Sequence, residues 1–317
     1  MFTRDRHLRI IVSLCFCILV CTVACIYLDM SYSDKSFTII VLPDTQKYSE
    51  SYPEIFTNQT QWIVENKNKL NIVFVAHEGD IVQDYNNTTQ WQRANTSMSI
   101  LDGIVPYSVL PGNHDMNLTT GASALYNSTF PASRFSSYEW YGGSFSPANR
   151  NSYQLINVSG GNYIILNLEY CPSNEILNWA NQTLETYKDR KAIIVTHMYL
   201  NLWGGLFDKN FCRRQKEAGC ENCGKEIYEK LVVPNTNIMM ILNGHLHGEA
   251  LNTTRIDGRL VHQMVANYQD RPNGGNGYLR ILRFVPTENK VYVKTYSPFL
   301  NTYETDENSQ FILNIEL

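Results

Sequence analysis

An α/β fold built around a parallel sheet is expected from three features of the sequence. Short unbroken apolar runs alternate with stretches of helical periodicity. The runs lack polar alternation, as do strands buried on both faces of a parallel sheet. Several of them end on turn-forming residues followed at once by Asp, Asn or His, and open α/β sheets hold their ligands at the carboxyl ends of strands.

Taken in order, Phe37–Leu42 reads as the first strand and ends in Pro43-Asp44-Thr45-Gln46. Residues 53–69, with Ile55, Phe56, Trp62 and Ile63, read as a helix. Ile72–Ala76 is the second strand and runs into His77-Glu78-Gly79-Asp80. A helix from about 88 to 101 leads to a third strand over 107–110, which Pro111-Gly112 ends sharply before Asn113-His114-Asp115. This alternation predicts a parallel sheet between helices. Residues 116–150 interrupt it. They are rich in Ser, Gly, Asn and aromatics, and read as a long loop or cap over the rim, either packed on itself or shaping a substrate site. Strands resume at 153–158 and 163–168, and a helix covers about 176–188. The run 192–196 ends at His197, a cysteine-bearing loop spans 201–223, and a helix covers about 225–231. The run 238–242 ends in Asn243-Gly244-His245-Leu246-His247. From 249 to 317 the pattern is β-rich, with antiparallel strands expected at 260–266, 278–284 and 291–296.

Composition narrows the function classes. The 317 residues are 44% hydrophobic and 18% charged, with a formal net charge of −4. A broad basic surface is not implied, so nucleic acid is not an expected partner. Residues 1–36 form a separate segment. Ile10–Leu28 carries no charge, follows Arg4, Arg6 and Arg9, and precedes Asp29 and Asp34. The length suits a bilayer-crossing helix, and the positive flank would stay cytoplasmic. The expectation is a single-pass type II membrane protein, anchored through this N-terminal helix, with its catalytic domain (37–317) extracellular or lumenal. It would be secreted if the segment is cleaved.

Two further features agree with a non-cytosolic setting. Nine Asn-x-Ser/Thr sequons begin at Asn58, Asn86, Asn87, Asn95, Asn117, Asn127, Asn157, Asn181 and Asn252, which suggests a glycosylated surface. Beyond the N-terminal segment there are four cysteines, Cys171, Cys212, Cys220 and Cys223. They could form two disulfides in any of three connectivities, and a zinc site is the competing reading.

Strand ends therefore carry Asp44, Asp80, Asn113, His197, and His245 with His247. A lone buried His is usually a satisfied core residue, but two at i and i+2 after a Gly, with the other polar strand ends, are harder to explain that way. Carboxylate, imidazole and amide oxygen together suit divalent transition metals such as Zn, Mn or Fe. So many donors suit two ions sharing a bridging carboxylate.

The ordered blocks Asp44-Thr45-Gln46, Gly79-Asp80, Gly112-Asn113-His114-Asp115, His197 and Gly244-His245-Leu246-His247 resemble the calcineurin-like metallophosphoesterases over about residues 37–248. The opening Leu42-Pro43-Asp44-Thr45-Gln46 and the tail Thr295-Tyr296-Ser297-Pro298 look like a subgroup of that family. The resemblance implies a sandwich of two β-sheets flanked by helices, with the metal site at the carboxyl ends of strands. It also implies two divalent ions, one on Asp44, Gln46, Asp80 and His247, the other on Asp80, Asn113, His197 and His245. The reaction it implies is hydrolysis of a phosphomonoester or phosphodiester by metal-bound hydroxide, with His114 contacting the phosphate and protonating the leaving oxygen. This sequence departs from the family pattern at two places, and from one subgroup at a third. Gln46 stands where many members have His. Asp84 lies four residues past Asp80 instead of three, which weakens its claim to orient His114. Gln83 occupies the position of the Tyr ligand of purple acid phosphatases, which argues against that subgroup. The alternatives are a non-catalytic binding module on the same fold and a cytosolic protein phosphatase.

Overall fold

Alternate residues of the central strands face two different cores, which is why these strands read as continuous apolar runs. In β1 (Phe37–Leu42), Phe37, Ile39 and Val41 point to one side and Ile40 and Leu42 to the other, and all are buried. The first set meets Phe74 and Ala76 of β2 (Ile72–His77), and also residues from a second sheet, among them Tyr163, Ile165, Ile193 and Val195. The second set packs under Ile55, Phe56 and Ile63 of the helix Pro53–Asn66 and under Trp91, Ala94 and Met98 of the helix Thr88–Met98. Helices, sheet, sheet and helices are thus stacked with an apolar layer at each junction.

These observations come from a computed structural model that describes residues 36–158, 161–214 and 220–316. The remaining strands are β3 (Tyr107–Ser108), β4 (Tyr141–Ser144), β5 (Ser152–Val158), β6 (Gly161–Leu168), β7 (Lys191–Thr196), β8 (Ile238–Asn243), β9 (Gly248–Ile256), β10 (Arg259–Asn267), β11 (Leu279–Val285), β12 (Lys290–Ser297), β13 (Thr302–Glu304) and β14 (Gln310–Asn314). One sheet runs β13-β12-β11-β1-β2-β3, with β14 also on β12. The other runs β4-β5-β6-β7-β8-β10-β9. Both are mixed. β1, β2 and β3 pair in parallel, as do β6, β7, β8 and β10, and the outer strands are antiparallel. The β-rich stretch after residue 249 is shared between the sheets: β9 and β10 complete one, and β11 to β14 complete the other. β10 was expected to be antiparallel, but it lies parallel to β8 on one edge and antiparallel to β9 on the other.

The segment 116–150 is only partly a cap. Tyr126, Phe130 and Phe135 are buried in the helix-side core with Trp91, and Tyr141–Ser144 adds an edge strand. Its aromatics are explained by packing on the body of the domain. Near the rim, the turn after Asn113 stays free to line a cleft.

The cysteines pair Cys171–Cys220 and Cys212–Cys223, one of the three connectivities left open by sequence. None of the nine sequon asparagines is buried.

The expected membrane-spanning helix over 10–28 lies outside the described residues. Among the described residues no helix is long and apolar enough to cross a membrane. The longest, Pro53–Asn66, has 14 residues, roughly 21 Å of helix against the roughly 30 Å of a bilayer's hydrocarbon core, and its apolar face is packed into the protein. The transmembrane assignment, the membrane as a partner through an N-terminal helix, and the single-pass type II topology are corrected accordingly: the structure supports none of them.

The layered packing generates a stability prediction. Phe74 is fully buried between the sheets, whereas Ile312 on β14 is 55% exposed. Phe74→Ala should cost about 3–5 kcal/mol, and Ile312→Ala less than about 0.5 kcal/mol. Urea unfolding midpoints of the two variants would measure this, and similar shifts would contradict the assignment of the inter-sheet core.

Candidate metal centre

The candidate ligands come from both sheets. Asp44, Asp80 and Asn113 follow β1, β2 and β3 in one sheet. His197 and His245 follow β7 and β8 in the other. Stacking the sheets brings these strand ends to one rim, where Asp44, Asp80 and His197 form a buried cluster of potential metal ligands.

The local backbone is shaped to let the carboxylates in. Asp80 and His245 both have positive φ, 50° and 72°, a conformation that costs energy in non-glycine residues and tends to be kept at functional sites. A Cβ on Gly112 would collide with the Asp80 carboxylate, and one on Gly244 with that of Asp44. These two motif glycines are therefore there to admit the acids.

Several potential ligand atoms are held together. His197 Nδ1–H donates to the Glu78 carbonyl at 2.9 Å, which leaves Nε2 of the neutral ring as a lone pair. That Nε2 faces Asn113 Oδ1 at 2.9 Å, His245 Nδ1 at 3.3 Å and Asp80 Oδ2 at 3.3 Å. His245 Nδ1 also lies 2.9 Å from Asn113 Oδ1. Gln46 directs its amide nitrogen to Asp80 Oδ2 at 3.0 Å, while its Oε1 is buried without a hydrogen-bond partner. Carboxylate, amide oxygen and imidazole lone pairs converging in a buried space, with one amide oxygen orphaned, fit a divalent cation.

The electrostatics point the same way. Burial drives the Asp44 carboxyl far above its usual range, against the opposing effect of His197. Burial also opposes ionisation of Asp80, but the charge of His197 and its hydrogen bond outweigh that, and Asp80 is held below the usual range. His197 itself is destabilised as a cation by burial, yet Asp80 and Asp44 more than compensate and raise it. His245 is pushed down to about 3 by burial and then by His197. The site therefore draws positive charge to itself, and a proton on His197 meets that demand when no other cation does.

His114 stands beside the cluster. Its backbone N–H donates to Asp80 Oδ1 at 2.8 Å, and its Nδ1–H donates to the Gln83 carbonyl at 2.9 Å. Gln83, not Asp84, holds this ring. The Asp84 carboxylate is instead engaged in its own turn, accepting from the Asn86 N–H. His247 is not brought into the cluster: it is exposed, and its Nδ1 pairs with Asp270. Two supporting residues carried no assigned role in the sequence. Asp115, buried, accepts the backbone N–H groups of Ile81, Val82 and Gly112, tying the second and third motif loops together. Asn267 donates to Asp44 Oδ2 at 2.6 Å and to the His245 carbonyl at 3.3 Å. The signal for Asn267 was weak: it ends a strand, as the other site residues do, but that strand is interrupted by His262 and Gln263.

Two mixed sheets flanked by helices, with this donor set on their shared rim, define the metallophosphoesterase class of fold. The sequence model of the calcineurin-like phosphoesterases matches residues 37–249. The uncharacterized protein YvnB of Bacillus subtilis (strain 168) is 39% identical over 295 residues, covering 89% of this chain and 22% of that protein. This chain thus spans about a fifth of that relative's length. Purple acid phosphatase PPD1 from yellow lupin (Lupinus luteus) seeds shares the fold, with a TM-score of 0.58 at 12% identity over 89% of this chain and 54% of the lupin chain. The chain belongs to the calcineurin-like phosphoesterase family.

The charge balance predicts proton-coupled metal uptake. Cation binding needs His197 neutral and Asp44 ionised, so loading should release protons, and affinity should fall as pH is lowered from about 8 to about 6. Calorimetric titration with Mn²⁺ or Zn²⁺ in buffers of different ionisation enthalpy reads the proton count. Uptake without proton release, and with constant affinity over that range, would contradict the picture.

Proposed function

We propose that this chain is a metal-dependent phosphoesterase that hydrolyses a phosphomonoester or phosphodiester at a centre of two divalent transition metal ions. The observation that carries this reading is the mutual approach of His197 Nε2, His245 Nδ1 and Asn113 Oδ1 within 2.9–3.3 Å, beside the buried carboxylate of Asp80. Asp44, Gln46, Asp80, Asn113, His197 and His245 would hold the ions. Asp80 would be shared between the two groups of ligands, since it meets both Gln46 and His197. When bound, the ions supply Lewis acidity and a nucleophile at neutral pH.

The protein's own groups do the rest. The Glu78 carbonyl fixes the ring orientation and tautomer of His197, as an outer-shell acceptor does for a metal-ligating histidine. Asn267 and the His245 N–H hold the Asp44 carboxylate in place. Asp115 fixes the loops that carry Asp80 and Asn113. His114 lines a cleft of about 430 Å³ beside Asn113. With Nδ1–H tied to Gln83, its Nε2 is the position from which a proton passes to the leaving oxygen.

Substitutions separate these roles. Asp80→Ala and His245→Ala should lose bound metal and turnover together. His114→Ala should keep its metal, and should lose about tenfold more rate on alkyl phosphoesters than on nitrophenyl ones, whose leaving group needs little protonation. His247→Ala should keep more metal than His245→Ala, because the His247 ring nitrogens are turned to Asp270 and Gln269 and not to the cluster. Metal analysis of the purified variants, with rates on para-nitrophenyl phosphate, its bis ester and simple alkyl esters, checks all four. Full metal and wild-type turnover in Asp80→Ala would overturn the proposed centre.

A further inference from the structure

The cleft beside the metal centre does not end at His114. A second hollow of about 300 Å³ shares Met116, Leu118 and Thr119 with the first and continues to Arg150, Glu169 and Tyr170. Tyr170 links it directly to the centre, its ring lying 5.8 Å from the rings of both His197 and His245. Within the hollow, Arg150 pairs with Glu169. The guanidinium also donates to the Gly121 carbonyl at 3.1 Å, while its Nε is buried without a partner among the described residues. Glu169 is fixed from behind, where its backbone N–H donates to Asn151 Oδ1 at 2.9 Å. The Cys171–Cys220 disulfide forms part of the wall and joins two loops covalently.

We propose that this hollow is a leaving-group subsite that reads adjacent hydroxyls, the vicinal diol that glycerol, a sugar or a ribose presents, on the alcohol portion of the substrate. This rests on the phosphoesterase reading above. The charge of Arg150 is already matched by Glu169, so a second phosphate would meet a carboxylate as well as a guanidinium. A plain alkyl group would displace water from the Arg150–Glu169 pair and replace it with nothing polar, and desolvating charged groups without new hydrogen bonds is costly. A hydroxyl both donates and accepts. Two neighbouring hydroxyls can accept from the partly exposed Arg150 guanidinium and donate to Glu169, while Met116 and Leu118 cover the carbon skeleton. The shared lining places such a group one side chain from the metal centre, within reach of an ester whose phosphate sits beside Asn113 and His114.

Matched esters test this with the metal-loaded protein. Glycerol and propyl esters are compared, each as the phosphomonoester and as the methyl phosphodiester, with released alcohol quantified. A ribose ester and its 2-deoxy counterpart then distinguish a nucleoside source from a glycerol or sugar source. For the wild type, kcat/KM should favour the diol ester by about tenfold or more, the factor expected for hydrogen bonds to charged partners. In Glu169→Gln and Arg150→Lys the ratio of diol to alkyl ester should fall toward one. A ratio is read, so partial loss of folded or metal-loaded protein cancels. A wild-type ratio near one, with both esters turned over, overturns the subsite and leaves the phosphoesterase reading standing. An unchanged ratio in both variants also overturns it. Absence of turnover on every ester by metal-loaded protein overturns the phosphoesterase reading and the subsite with it.

Discussion

Asp44 and Asp80 are both buried within a single small cluster, and that placement governs the rest of the structure around the site. Two carboxylates removed from water repel each other and lose hydration, so they stand only where positive charge and hydrogen-bond donors meet them. The chain supplies the donors from Asn267, Gln46 and the backbone of His114 and His245. It supplies the charge through His197, whose basicity the two acids raise. The same arrangement accounts for the glycines at 112 and 244 and the positive φ at Asp80 and His245, because each lets backbone come close to a carboxylate.

The site depends on the stacking of two sheets, and neither sheet contains it alone. One contributes acids and an amide, the other imidazoles. The inter-sheet layer of Phe37, Ile39, Val41, Phe74, Tyr163, Ile165, Ile193 and Val195 therefore does more than stabilise the fold. It sets the distance between Asp80 and His197, a contact that the charge balance of the centre requires. Asp115 has a comparable part within one sheet, since its carboxylate joins the loop after β2 to the loop after β3.

The segment after the third motif divides its duties. Its aromatics, Tyr126, Phe130 and Phe135, anchor it in the helix-side core. The turn Met116–Thr119 remains at the rim, where it borders both hollows of the cleft. A firmly rooted segment with a turn at the rim can shape a pocket without the ordering cost of a mobile lid.

Much of the fold was legible in the sequence. β1, β2, β7 and β8 are continuous apolar runs because each is covered on both faces, and a run of that kind needs no knowledge of partners to be recognised. Asp44, Asp80, Asn113, His197 and His245 were legible by the same logic, as polar residues placed where such runs stop. Other features depend on partners distant in the chain. Whether β10 lies parallel or antiparallel to its neighbour is not written in its own residues, since Leu260–Ala266 satisfies both edges. Gln83 meets His114 Nδ1 with both its backbone carbonyl and its side-chain amide, a contact set by how the loops after β2 and β3 come together. His247 belongs to the same motif as His245, yet its ring pairs with Asp270, a contact set by how the chain after β10 returns to the rim. The apolar run at 10–28 led to an expectation of membrane anchoring that no described helix supports. Local patterning determined where strands end and which donors those ends bear. Which donors share one buried volume was decided by the packing of the two sheets, because hydrogen bonds and charges act over a few ångströms of space, whatever their separation along the chain.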